Sequence, residues 1–211
     1  MNVKCLEFNF LPVNTYIVWD DTKECAIIDP GCFYNGENEK LAEFISANGL
    51  TVRLLLNTHL HFDHVFGNLF VEQTYGIQAR ANNADNPWIE NIGQRLAAFG
   101  LRYDGKVNRI LPENVLNEGD TVKFGNTTMH VLHIPGHSPG SLVFLNKEDR
   151  ILFSGDVLFQ NGMGRTDFPD GDGPALMEGI RTKLMTLDPA TTVFPGHGPA
   201  TTIEQEKTSF L

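Results

Sequence analysis

Seven consecutive residues, Thr58-His59-Leu60-His61-Phe62-Asp63-His64, carry three imidazoles and one carboxylate. Imidazole nitrogen and carboxylate oxygen are the donors expected for zinc, iron or manganese, and donor type alone does not choose among these metals. His59 and His61 are two positions apart, so both can project to one side of an extended backbone. The Asp63-His64 pair one turn later can face back toward them. Such a loop can serve two adjacent cations. A merely solvated loop is a poor account of three clustered histidines in a chain that has only seven.

The other four histidines are His130, His133, His137 and His197. His137 lies in Ile134-Pro135-Gly136-His137-Ser138-Pro139-Gly140, and His197 in Phe194-Pro195-Gly196-His197-Gly198-Pro199. Each follows an apolar strand on a Pro/Gly turn, which places a side chain at a strand end, where sites are commonly built. Between them, Leu152-Phe153-Ser154-Gly155-Asp156 ends a strand with a carboxylate of the type that can bridge two cations. His130 and His133 fall inside a predicted strand on opposite faces and are read as packed residues or partners of a ligand.

The elements that must hold these residues follow from pattern. Strands are predicted over Lys4–Phe10, Asn14–Trp19 and Cys25–Ile28, with Asp29-Pro30-Gly31 as a terminating turn. Glu37–Asn48 carries Leu41, Phe44 and Ile45 at helical spacing before Gly49. Val52–Leu56 is a short buried-type strand that delivers the histidine loop, and the segment from Val65 to Val71 can turn helically. Ile77–Ala81 reads as a strand. Asp85-Asn86-Pro87 is expected to cap a helix with Trp88, Ile89, Ile92, Leu96 and Phe99 on one face, pointing mainly into the core, with cover of an active-site rim as the alternative.

Beyond a loop from Tyr103 to Leu111, strands are predicted at Thr121–Phe124, Thr127–Ile134, Ser141–Leu145 and Ile151–Phe153. Asp172-Gly173-Pro174 starts a helix bearing Leu176, Met177, Ile180, Leu184 and Leu187; Thr192–Phe194 is a last strand, and Thr202 with Gln205 resembles a capping box before a final helix. Strands followed by helices, twice over, predict an α+β four-layer αββα sandwich formed as one domain over residues 1–211.

Composition narrows the partners. A formal charge of -10 opposes binding to a nucleic-acid backbone, for which no basic patch is found. No apolar run approaches the ~18 residues needed to span a bilayer, and the start Met1-Asn2-Val3-Lys4-Cys5 lacks an apolar signal core, so a cytoplasmic location without membrane contact is expected. Cys5, Cys25 and Cys32 are an odd number without metal-type spacing and read as reduced structural thiols. The oligomeric state is left open.

The set His-x-His-x-Asp-His, a later His137, Asp156 and a final His197, in that order and with flanking strands, resembles the metallo-β-lactamase-fold hydrolase superfamily over essentially the whole chain. The resemblance implies that His59, His61 and His137 hold one divalent metal, that Asp63, His64 and His197 hold the other, and that Asp156 bridges both. Zinc is the first expectation, with iron or manganese as alternatives. True β-lactamases of the superfamily have a cysteine where Asp156 stands and are exported, so antibiotic hydrolysis is disfavoured.

Gly155-Asp156-Val157-Leu158-Phe159 with Gly164-Arg165-Thr166-Asp167-Phe168-Pro169 is similar to the small glyoxalase II-type thioester hydrolases. That similarity implies a small-molecule thioester substrate, Asp63 and Asp156 as catalytic carboxylates, and Arg165 as a substrate-orienting residue, pairing with Asp167 or Asp170 being the alternative for its side chain. The alternative activities are a single-iron persulfide dioxygenase and, with less support, an acyl homoserine lactonase. Full-length glyoxalase II carries a helical glutathione-binding domain that has no counterpart here, so selectivity for the glutathione moiety is expected to be weak.

Overall fold

The computed structural model describes residues 1–90, 92–98, 100–103 and 105–210. Strands β1 (Asn2–Phe8), β2 (Val13–Trp19) and β3 (Glu24–Ile28) form an antiparallel meander. Helix α1 (Glu37–Ala47) then crosses to β4 (Thr51–Leu56), and the short α2 (Phe62–Val65) and α3 (Asn68–Tyr75) lead to β5 (Ala79–Arg80). These strands make one sheet in the order β1-β2-β3-β4-β5, with β3, β4 and β5 parallel. Helices α4 (Asn86–Glu90) and α5 (Ile92–Ala98) follow.

The second half contains β6 (Thr121–Phe124), β7 (Thr127–His133), β8 (Leu142–Asn146) and β9 (Ile151–Gly155), then the hairpin β10 (Leu158–Phe159) and β11 (Gly162–Met163). It continues with α6 (Gly173–Gly179), β12 (Thr192–Pro195), β13 (Thr201–Thr202) and α7 (Ile203–Phe210). Its sheet runs β13-β12-β9-β8-β7-β6, and β12 pairs parallel to β9.

Period-2 alternation makes the layers. On β2 and β3, Tyr16, Val18, Ala26 and Ile28 face one way, and they pack with Val131, Leu142, Phe144 and Phe153 of the other sheet. Their neighbours Ile17, Cys25 and Ile27 face the opposite way and meet Leu41 and Ile45 of α1 and Val71 of α3. On β8 and β9, Val143, Leu145 and Leu152 turn outward onto Leu176, Ile180, Leu184 and Ile203. Three apolar clusters between four layers give the αββα order that the pattern predicted.

Several elements differ from expectation for local reasons. β1 ends at Phe8 and not Phe10, because Asn9 adopts a left-handed backbone at φ 56° and its side-chain amide donates to the carbonyls of Gly31 and Asp63. The strand expected at Ile77–Ala81 keeps only Ala79 and Arg80. The helix expected after Asp85 is seen as α4 and α5 on either side of residue 91, which, like Phe99 placed on its face by periodicity, lies outside the described residues. Asp85 does not cap that helix, since a 3₁₀ turn capped by Asn82 turns its carboxylate inward. Downstream, Asp172 does cap α6, accepting from the Ala175 N–H at 2.9 Å, but the helix then widens into a π turn over Ile180–Leu184.

Candidate metal centre

The candidate ligands all sit on connections leaving the carboxyl ends of strands. His59 and His61 follow β4, Asp63 and His64 begin α2, His137 follows β7, Asp156 follows β9 and His197 follows β12. Contacts between the sheets tie these ends together. The Leu142 N–H donates to Thr58 O at 2.7 Å, the Asn14 N–H donates to Gly196 O at 2.8 Å, and the Tyr16 hydroxyl donates to Pro195 O at 2.6 Å. Parallel pairing of β3 with β4 and of β9 with β12 leaves crevices at the same end of the sandwich, where loops from both halves meet.

The outer nitrogens of four imidazoles are tied to acceptors. Thr58 Oγ1 donates to Asp29 Oδ2 at 2.6 Å, so its lone pair accepts from His59 Nδ1 at 3.1 Å. Likewise His137 Nδ1 donates to Arg165 O (2.8 Å), His64 Nδ1 to Asp29 Oδ2 (3.0 Å) and His197 Nδ1 to Pro12 O (3.2 Å). This assignment of the outer N–H groups follows from the acceptors and turns all four Nε2 atoms toward the centre. His61 is turned the other way, with Nδ1 at 3.1 Å from His59 Nε2 and 2.9 Å from His137 Nε2.

Three ring nitrogens that close can share at most one proton among their contacts, whereas a cation satisfies them all. Across the site, Asp63 Oδ2 is 3.3 Å from His197 Nε2 and 3.7 Å from His64 Nε2. Asp156 reaches both sides, 3.5 Å from His64 Nε2 through Oδ1 and 3.5 Å from His137 Nε2 through Oδ2. Donor atoms of His59, His61 and His137, of Asp63, His64 and His197, and of His59, His64 and Asp156 each lie within 4.8 Å of one another and could hold a metal ion. The buried atoms His64 Nε2 and Asp156 Oδ1 have no hydrogen-bond partner, as expected of groups that bind something other than protein. The residues therefore fit a pair of cations.

Protonation follows the same division. Burial, then the surrounding imidazoles, holds His59 well below its ordinary value; burial and His137 do the same for His61. Burial also opposes charge on His64, but Asp63, Asp156 and Asp29 outweigh it and push that ring up to about 10. For Asp63, burial favours the neutral acid and is overcome by His64 and His197, which bring the carboxyl down to about 2. His59 and His61 thus offer neutral nitrogens, while Asp63 and His64 face each other with opposite charges.

Three contributors escaped the sequence reading, and a fourth was its lesser alternative. Asp29, read as part of a turn, is buried with φ 50° and receives Thr58 N, Thr58 Oγ1 and His64 Nδ1, so one carboxylate orients ligands on both sides. Asp85 accepts from Leu60 N (3.1 Å), Ser138 Oγ (2.8 Å) and Gly140 N (2.7 Å), clamping the His59–His61 loop to the His137 loop. Trp88, read chiefly as core with the rim as the alternative, has its ring centroid 4.2 Å from that of His61, and Phe168 lies 5.0 Å from His61 on the same wall. No sequence signal marks Asp29 or Asp85 beyond a carboxylate at the edge of an element. Ile89, Ile92 and Leu96 do enter the core as expected.

Arg165 is placed with its carbonyl on His137 and its guanidinium on Asp167, at 2.6 Å from both carboxylate oxygens. His133 donates from Nε2 to Pro139 O at 2.7 Å, a contact with the His137 loop and not with a ligand; His130 is half-buried on β7.

A model of the metallo-beta-lactamase superfamily matches residues 8–197, and the chain belongs to that superfamily. Within it the protein is a metallo-hydrolase by class. Hydroxyacylglutathione hydrolase GloC of Haemophilus influenzae is 39% identical over 99% of this chain and 96% of its own length. Two solved structures each give a TM-score of 0.84: the B3 metallo-beta-lactamase BLEG-1 (34% identity, 98% of this chain and 97% of that one) and TTHA1623 in a di-iron-bound form (35%, 97% and 96%). No helix among the described residues is long and apolar enough to cross a membrane.

Proposed function

We propose that the protein is a dinuclear thioester hydrolase of the hydroxyacylglutathione type, acting as one domain over residues 1–211 in the cytoplasm. The observation that carries the two-metal part is the convergence of two donor sets on a shared Asp156; the name of the GloC relative supports the substrate class. His59, His61 and His137 would hold one ion, and Asp63, His64 and His197 the other. Zinc suits this nitrogen-and-oxygen set, and the di-iron form of TTHA1623 keeps iron in view. Bound there, the metals would supply hydroxide at neutral pH and a Lewis-acid contact for the carbonyl oxygen.

The chain's own residues do the rest. Asp63, ionised down to about 2, accepts a hydrogen bond from the attacking water and keeps its lone pair toward the carbonyl carbon. The carbon–oxygen bond forms, the carbon–sulfur bond breaks, and the water's proton leaves with the sulfur. Asp156 keeps the two halves of the site in register. Trp88 and Phe168 wall the His61 side and exclude bulk water. Arg165, paired with Asp167 and stacked on Phe168 at 4.7 Å, acts on the substrate from the rim by holding the Phe168 wall and not through a free guanidinium fork.

Assays of metal-loaded protein on lactoylglutathione, glutathione persulfide, an acyl homoserine lactone and a penicillin test the reading. It expects oxygen-independent thioester cleavage to be fastest by kcat/KM. Faster oxygen-consuming attack on the persulfide, or faster cleavage of the lactone or lactam, would overturn it.

A further inference from the structure

We infer that Arg95 is an anion-recognising residue of this site, and that the thiol portion of its thioester substrate carries a carboxylate. The inference rests on the thioesterase reading for the reaction, but the geometry behind it is independent of metals. Trp88 forms the wall beside His61 and is anchored by Nε1 donating to Asp170 Oδ2 at 2.9 Å. On this indole lies the Arg95 guanidinium, its carbon 3.6 Å from the ring centroid. Stacking fixes the plane of a guanidinium without engaging its N–H donors, so the fork stays free for a planar, two-oxygen acceptor.

That fork has no partner among the described residues. Among the described residues no hydrogen bond or ion pair involves Arg95, and its Nε is buried without an acceptor. Neighbouring acids are engaged elsewhere: Asp170 with Trp88, and Glu90 with Arg109 at 3.2 Å. The second guanidinium on this rim, Arg165, is clamped by Asp167. Among the described residues, Arg95 is therefore the open cation of the wall. With a formal charge of -10 the protein as a whole repels anions, so an anionic substrate needs a local cation beside the reacting centre. A carboxylate on the thiol side of the substrate supplies the acceptor that Nε lacks. This departs from the expectation of weak glutathione selectivity, because glutathione presents two carboxylates on its thiol side.

The test compares Arg95→Gln and Arg95→Lys with the parent on lactoylglutathione and on the uncharged lactoyl thioester of N-acetylcysteamine, together with calorimetric titration of S-hexylglutathione, which cannot be hydrolysed. For Arg95→Gln, KM for lactoylglutathione should rise about tenfold with kcat nearly unchanged, and S-hexylglutathione should bind about tenfold more weakly. The uncharged ester should be unaffected, and Arg95→Lys should recover part of the loss. Equal losses on both esters, or no loss on either, would overturn the inference. If the parent cleaves neither thioester, the reaction reading falls, and the titration still decides Arg95: binding that ignores the substitution would sink it.

Discussion

Asp156 touches both halves of the site, and this makes it the most informative single residue. Asp156→Ala should lower kcat/KM by at least a hundredfold and reduce bound metal, because a bridging carboxylate positions both ions, whereas His133→Ala should cost less than about tenfold, since its contact is with the Pro139 carbonyl. Metal analysis and steady-state kinetics on both variants check this; comparable losses in folded protein would remove the special role of Asp156. His64 gives a pH prediction for the metal-free protein. Its folded-state value of about 10 exceeds the ordinary 6.5, so its stabilising contribution is complete below pH 6.5 and is lost as pH rises toward 10. Thermal melts in chelator should therefore fall from pH 6 to pH 9.5 more steeply for the parent than for His64→Asn. Parallel curves would contradict the charge network drawn around this ring.

At the scale of elements, the ligands depend on close backbone approaches. A Cβ on Gly196 would run into Asp156 Oδ1 and come within 2.7 Å of His64 Cε1, while one on Gly93 of α5 meets nothing within 4 Å. Gly196→Ala should therefore lose activity and metal with a stability loss of ~1–3 kcal/mol, and Gly93→Ala should be neutral or stabilising by up to ~1 kcal/mol. Asp85→Asn should unclamp the His137 loop and lower metal occupancy from two per chain toward one, the Asp63–His64–His197 half being retained; an unchanged count would show that the loop holds itself. These elements also show what the sequence could and could not convey. Alternation on β2, β3 and β8 announced the two-faced strands, and the clustered histidines announced the loop after β4. Asp29 and Asp85 stayed hidden because a buried carboxylate is recognised by the N–H and hydroxyl groups that chain folding brings to it, and those lie up to 55 positions away. Trp88 was legible as a helix-face residue, but which surface that face meets depends on tertiary packing.

For the molecule as a whole, ligands from both halves converge where bonds such as Leu142 N–H to Thr58 O already join the two sheets, so bound ions should add to what holds the halves together. Ligands that bind only the folded state stabilise by mass action, ~4 kcal/mol at a thousandfold excess over Kd, which for a chain of this size corresponds to roughly 10 °C in Tm. Differential scanning calorimetry with and without chelator measures it, and coincident transitions would deny any structural role to the metals. The central claim is a two-metal thioesterase. Its most direct test is titration of metal-free protein with zinc, and separately with ferrous iron under argon and in air, while lactoylglutathione hydrolysis and oxygen uptake are followed. The account predicts that hydrolysis climbs to a plateau at two equivalents of metal per chain with no oxygen consumed. A plateau at one equivalent of iron, with oxygen uptake on glutathione persulfide and negligible hydrolysis, would contradict it.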